Sequence, residues 1–171
     1  GHHPREITAT IKAIRKAFPE RRLVMAYQPH RYTRTRDLMQ DFTKALSEVD
    51  HLLLFDVYSA GEKFIEQADS PTLSHHIQTY GKIIPCLISP KEIFEETLKN
   101  ILQHNDILLI QGAGDIGVHH RENGANIDIG VVFAPTIVIG NHAKRSVRQL
   151  RFARQARFGH RCHADDIATP T

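Results

Sequence analysis

The sequence predicts an α/β fold: a mostly parallel sheet covered by helices on both faces, followed by an irregular C-terminal tail. Three observations lead there. Short apolar runs alternate with amphipathic stretches through residue 117, the connections between them are short, and residues 52–57 form a continuous apolar run. A run of that kind suits a parallel strand buried on both faces. Alternation with short connections is what a doubly covered sheet requires.

The elements follow in order. Pro4 suits the first turn of a helix whose apolar stripe is Ile7, Ile11, Ile14 and Phe18. Residues 23–27 read as the first strand. Residues 37–49 carry Leu38, Phe42, Ala45, Leu46 and Val49 at helical spacing. Residues 52–57 form the second strand. Ser70 and Pro71 open a helix as N-cap and first helical residue, Leu73 and Ile77 face inward, and Gly81 ends it. Residues 83–88 form the third strand. Ser89-Pro90 opens another helix, with Ile93, Leu98 and Leu102 on its apolar side. Residues 107–110 form the fourth strand, ending in Gln111 and a glycine-rich turn.

After residue 117 the rhythm breaks. Gly124, Gly130, Pro135 and Gly140 fall at spacings no long helix tolerates, although 131–133 and 136–139 have the composition of short strands. Arg145, Arg148, Arg151, Arg154 and Arg157 recur every third residue. On a helix that spacing drifts around the barrel and makes no single basic face. Residues 118–171 therefore read as an atypical basic tail, frameshifted or foreign, with an appended RNA- or lipid-binding tail as the alternative. His160, Cys162 and His163 cluster without a fourth donor, a poor case for zinc, and no metal site is expected.

A chain of 171 residues suffices for one domain and some excess, and 41% hydrophobic with 24% charged residues is ordinary for a globular protein. No apolar run is long enough to span a bilayer, and no signal pattern opens the chain. It starts at Gly1, as a piece of something longer would. Cys86, in an apolar run, reads as a buried thiol, and a disulfide framework is not expected; cytoplasmic localisation fits. The net charge of +3 is unevenly placed: residues 1–117 hold 14 Lys and Arg against 15 Asp and Glu, residues 118–171 hold 8 against 4. The folded body thus has no net attraction for nucleic acid, so no nucleic-acid partner is expected.

The chemistry concentrates at residues 28–36, Gln-Pro-His-Arg-Tyr-Thr-Arg-Thr-Arg. Pro29 stops the strand ladder and turns the chain outward. Arg31, Arg34 and Arg36 follow at the strand's carboxyl end, where open α/β sheets bind ligands. The planar guanidinium donates two parallel hydrogen bonds and suits a carboxylate or phosphate. Arg31 and Arg34 read as ligand-binding residues, Arg36 as a surface charge. Gly112–Gly117 matches G-x-G-x-x-G letter for letter but lacks a following βαβ unit, so it reads as a turn and not a dinucleotide site.

The run QPHRYTRTRDL at 28–38, with GHHP at 1–4, YSAGE at 58–62 and GAGDIG at 112–117, resembles the UDP-N-acetylmuramate–L-alanine ligases, Mur ligases of peptidoglycan synthesis. The resemblance covers residues 1–117 and only the C-terminal, amino-acid-binding domain. It implies a Rossmann-like architecture. It also implies an enzyme that uses ATP and Mg to join the lactyl carboxylate of UDP-N-acetylmuramate to L-alanine through an acyl phosphate. Carried over by motif, His2, Arg31 and Arg34 face alanine and the transferred phosphate; His3 supports the turn, and Glu62 either touches substrate or holds a loop. No G-x-x-x-x-G-K-[ST] occurs, and the family's Asp-Asp-Tyr, UDP-binding domain and central ATPase domain lie outside this sequence. The fragment is therefore expected to bind no cofactor, to hold no catalytic residue, to partner the ATPase domain of its own chain and to be inactive alone. The alternatives are the related murein tripeptide ligase, disfavoured by QPHRYTRT, and a standalone binding module using the basic tail.

Overall fold

The computed structural model describes residues 2–89, 93–112, 116 and, as backbone, 129–133. Strands β1 (Leu23–Gln28), β2 (His51–Phe55), β3 (Cys86–Ile88), β4 (Ile107–Gly112) and β5 (Ile129–Phe133) form one sheet in the order β3-β2-β1-β4-β5. The first four run parallel; β5 lies antiparallel on β4, Leu109 opposite Val131. The mostly parallel α/β sheet is thus present, and it continues past residue 117 with an edge strand. The expected strand at 136–139 lies outside the described residues.

Helices cover both faces. Ile7, Ile11 and Ile14 of α1 (Pro4–Ala17), Phe42 and Leu46 of α3 (Met39–Leu46), and Leu73 and Ile77 of α4 (Ser70–Tyr80) pack on Met25, Tyr27, Leu52, Leu54 and Leu109. Phe94 and Leu98 of α5 (Phe94–Ile101) and Ile116 cover Val24, Ala26, Leu53, Phe55 and Leu108 on the opposite face. Both faces of β1 and β2 are apolar because both are covered, which is why those strands show no alternation.

Several boundaries differ from expectation, each for a local reason. The helix expected from residue 37 begins earlier, as α2 (Tyr32–Asp37), and breaks at Leu38 before α3. Asp69, not Ser70, caps α4: its Oδ1 accepts from the Thr72 amide at 2.9 Å, while the buried Ser70 hydroxyl donates to the Phe55 carbonyl at 2.6 Å. The third strand shrinks to Cys86–Ile88. Cys86 is half-buried, more open than the buried thiol expected of it. Gly81 ends α4 as expected, but through space and not through a left-handed turn: a Cβ there would collide with the Ser47 hydroxyl and the Ile77 carbonyl.

At the amino edge of the sheet, Arg22 Nη1 lies 3.0 Å from His51 Nε2. Arginine only donates, so Nε2 accepts and His51 is neutral. Burial first, and the Arg22 charge second, push the His51 pKa below its ordinary value. An unfolded chain therefore binds more protons than the folded one once pH falls below about 6.5. Stability from neutral His51 is complete above that pH and declines below it. Urea midpoints at pH 7.5 and 5.5 should fall with acidity, and His51→Gln, which keeps an acceptor but cannot titrate, should fall less. An equal fall in both proteins would refute the assignment. Among the described residues no helix is long and apolar enough to cross a membrane.

Candidate functional site at the carboxyl edge of the sheet

Beyond Gln28 the chain keeps pairing for one more step. His30 forms an isolated parallel bridge with Tyr58: the Tyr58 amide donates to the Pro29 carbonyl at 2.9 Å and the Arg31 amide to the Tyr58 carbonyl at 2.8 Å. Gln28, 1% exposed, accepts from the Ile116 amide at 2.9 Å and so ties the glycine-rich turn to the end of β1. A Cβ on Gly112 would stand 2.9 Å from the Gln28 carbonyl, so the turn needs glycine there.

Arg31 then adopts φ 71° and ψ 133°. A positive φ in a residue with a Cβ is strained, and it persists only where its surroundings hold it. Here they do. The Arg31 amide is held by Tyr58, and its carbonyl accepts from the Thr35 amide at 3.1 Å and from the buried Thr35 hydroxyl at 3.0 Å. The backbone is fixed while the exposed guanidinium makes no hydrogen bond or ion pair among the described residues. Arg34, one turn along α2, is half-buried and points its Nη1 at His30 Nδ1, 3.2 Å away.

The first turn of α1 closes the third side. Its N-cap is His3, whose Nδ1 accepts from the Arg5 amide at 3.3 Å, while Glu6 Oε2 accepts from the His2 and His3 amides at 2.9 and 3.1 Å. These bonds, the one from His3 foremost, hold the Glu6 carboxyl below its usual range. The Tyr27 hydroxyl lies 3.4 Å from the His2 carbonyl. The His2 and His30 ring centroids are 5.7 Å apart, and the His30 ring stacks on Tyr58, also with centroids 5.7 Å apart.

His2 and Arg34 thus meet through His30, with Arg31 alongside. His3 is a helix cap. Glu62 is committed to α2: its oxygens accept from the Thr33 hydroxyl at 2.6 Å and the Thr33 amide at 3.1 Å, and those bonds lower its pKa. A carboxylate at a helix start is favourable on its own account, so the structural role accounts for Glu62. Arg36 pairs with Asp37 at the surface. His30, which sequence reasoning passed over, is the centre of the cluster; the available signal was an imidazole beside the strand-ending Pro29. Burial, then the charges of Arg34, His2 and Arg31, push its pKa down.

Neither Arg31 nor Arg34 has a carboxylate partner among the described residues. Two guanidiniums and two imidazoles thus gather at the carboxyl edge of the sheet, and the one acid facing them, Glu62, is hydrogen-bonded to Thr33. One strand over, Gln111 is fully buried, and neither atom of its side-chain amide has a hydrogen-bond partner among the described residues. An unpaired buried amide costs roughly 1–3 kcal/mol.

The mostly parallel α/β sheet, with arginines and histidines gathered at its carboxyl edge, defines the class of domain. Residues 1–114 match the family model described as Mur ligase, glutamate ligase domain. That span is most of the chain, and the chain belongs to the Mur ligase family, the ligases of peptidoglycan synthesis, as their C-terminal domain.

Proposed function

We propose that this chain is the amino-acid-binding C-terminal domain of a cytoplasmic ligase that adds L-alanine to UDP-N-acetylmuramate through an acyl phosphate. The observation that carries the reading is the pair Arg31 and Arg34, set beside His2 and His30 and making no ion pair with a carboxylate among the described residues. One guanidinium can grip the carboxylate of alanine through two parallel hydrogen bonds and so orient its amine for attack. The other can stabilise negative charge that builds as the amide forms and phosphate leaves. In the complete enzyme ATP would supply the phosphoryl group that activates the sugar carboxylate, leaving as ADP, and magnesium would offset the charge of its phosphates. Both arginines fit a phosphate. Among the described residues no cluster of three His, Cys, Asp or Glu side chains could hold a metal ion.

Phosphate release by a complete ligase carrying this domain tests the proposal, with UDP-N-acetylmuramate and either single L-amino acids or a murein tripeptide as acceptor. L-Alanine should be the best acceptor; preference for the tripeptide would move the chain to the other ligase. The isolated chain should show no saturable binding of micromolar ATP, and such binding would sink the domain assignment.

A further inference from the structure

We propose that His30 is a positioning residue that holds Arg34 in the anion site only while its imidazole is neutral, with the proton on Nε2 and the lone pair on Nδ1. This rests on the reading of the carboxyl edge as an anion site, but its core is local geometry. Arg34 Nη1 lies 3.2 Å from His30 Nδ1 and 3.4 Å from the His30 carbonyl. A guanidinium has five donors and no acceptor, and it does not lose its proton in proteins. The contact is a hydrogen bond only if Nδ1 is unprotonated, which fixes the tautomer.

The ring cannot easily turn away from this arrangement. It stacks on Tyr58 at an interplanar angle of 19°, His2 lies against it from the start of α1, and its backbone is bridged to the Tyr58 strand end. The charged and titratable groups facing it are Arg34 from α2, Arg31 at the α2 start, His2 from α1, Glu62 from the loop after β2 and the Tyr58 phenol. The cations outnumber the one acid, whose oxygens already accept from Thr33. Their net effect, with burial, favours the neutral ring. Protonating Nδ1 would set a second cation directly against Arg34 and turn the acceptor into a donor. The guanidinium would then leave its place.

Two properties follow. With Nδ1 unprotonated the ring's one proton sits on Nε2, so His30 stays uncharged beside the two arginines. The orientation of Arg34 becomes a function of pH, lost as His30 titrates.

The experiment is nitrogen-15 NMR of the 171-residue chain, with inorganic phosphate as the probe. The His30 Nδ1 signal should lie in the unprotonated range and Nε2 in the protonated range. The Arg34 guanidinium signals should shift with pH at the same midpoint as the His30 ring. At pH 8, where the imidazole is neutral, His30→Asn keeps an acceptor for Arg34 and should weaken phosphate clearly less than a variant without one. His30→Phe keeps a ring over Tyr58 but has no acceptor, and should weaken phosphate about tenfold. A proton on Nδ1, or Arg34 signals that ignore the His30 midpoint, overturns the proposal without any variant. Equal weakening by Asn and Phe also overturns it. If Arg34 tracks His30 but phosphate does not bind at all, the positioning contact stands and the anion-site reading falls.

Discussion

Arg34→Ala in a complete ligase carrying this domain is expected to lower kcat/KM for L-alanine by roughly 10- to 150-fold, the equivalent of about 1.5–3 kcal/mol for lost charge-assisted hydrogen bonds. Binding of the UDP-sugar should change by less than about twofold. Arg31→Ala should act in the same direction. Its exposed guanidinium makes no hydrogen bond or ion pair among the described residues, so its removal should cost little stability, and unfolding measured alongside separates a kinetic loss from a damaged fold. Arg31→Gly sharpens the test. Glycine accepts φ 71° without strain, so this variant should lose as much alanine use as Arg31→Ala while being the more stable of the two. Arg34→Lys keeps the charge but not the fork, and should fall between wild type and Ala. Steady-state kinetics with each substrate varied in turn, together with urea unfolding, separate these cases. Equal losses for alanine and UDP-sugar would mean that the arginines support the domain and not the ligand.

Those arginines were legible because a strand, a proline and a cationic run lie consecutively in the chain. The core was legible for a similar reason: Ile7, Ile11 and Ile14, or Leu52 through Phe55, announce their burial through spacing alone. What escaped depends on contacts between distant residues. The start of α2 could not be read, because its first-turn amide at Thr33 is satisfied by Glu62, 29 residues later. Without that acceptor, Tyr-Thr-Arg-Thr-Arg is a poor helix start. Asp69 and Ser70 are both good caps, and only the Phe55 carbonyl, which takes the Ser70 hydroxyl, decides between them. His30 has no periodic signature at all; its importance comes from Tyr58 and His2, brought to it by the sheet and by α1. The strand β5 was shorter in expectation than in the structure, since a lone edge strand beside glycines carries little pattern of its own.

The most consequential long-range contact went unread altogether, and it carries the largest expected effect on stability. Asp106, with a side chain only 4% exposed, opens β4 at the amino edge of the sheet. Its Oδ1 accepts from Arg22 Nε at 3.0 Å, and its Oδ2 from Arg22 Nη2 at 2.6 Å and from the Gln103 amide at 2.8 Å. Arg22 precedes β1, 84 residues away in sequence, and also donates to the Ile101 carbonyl at the end of α5 at 2.7 Å. One ion pair thus joins the entrances of two central strands to the end of a helix. Asp106→Ala strands the Arg22 guanidinium, whose side chain is 25% exposed. Breaking a buried pair from one side costs about 3–5 kcal/mol, and water reaching Arg22 places the expected loss near the lower end. Of a typical total of about 5–15 kcal/mol, that is a large share, and urea unfolding should show it as a lower midpoint with an unchanged slope. Asp106→Asn keeps an acceptor but loses the charge, and should cost less. The decisive variant is the double one, Arg22→Met with Asp106→Leu. If the single loss comes mainly from a charge left without its partner, removing both should recover much of it. If the double variant is as unstable as the sum of the singles, the pair contributes little as a pair, and the backbone amide of Gln103 and the carbonyl of Ile101 are what these side chains serve.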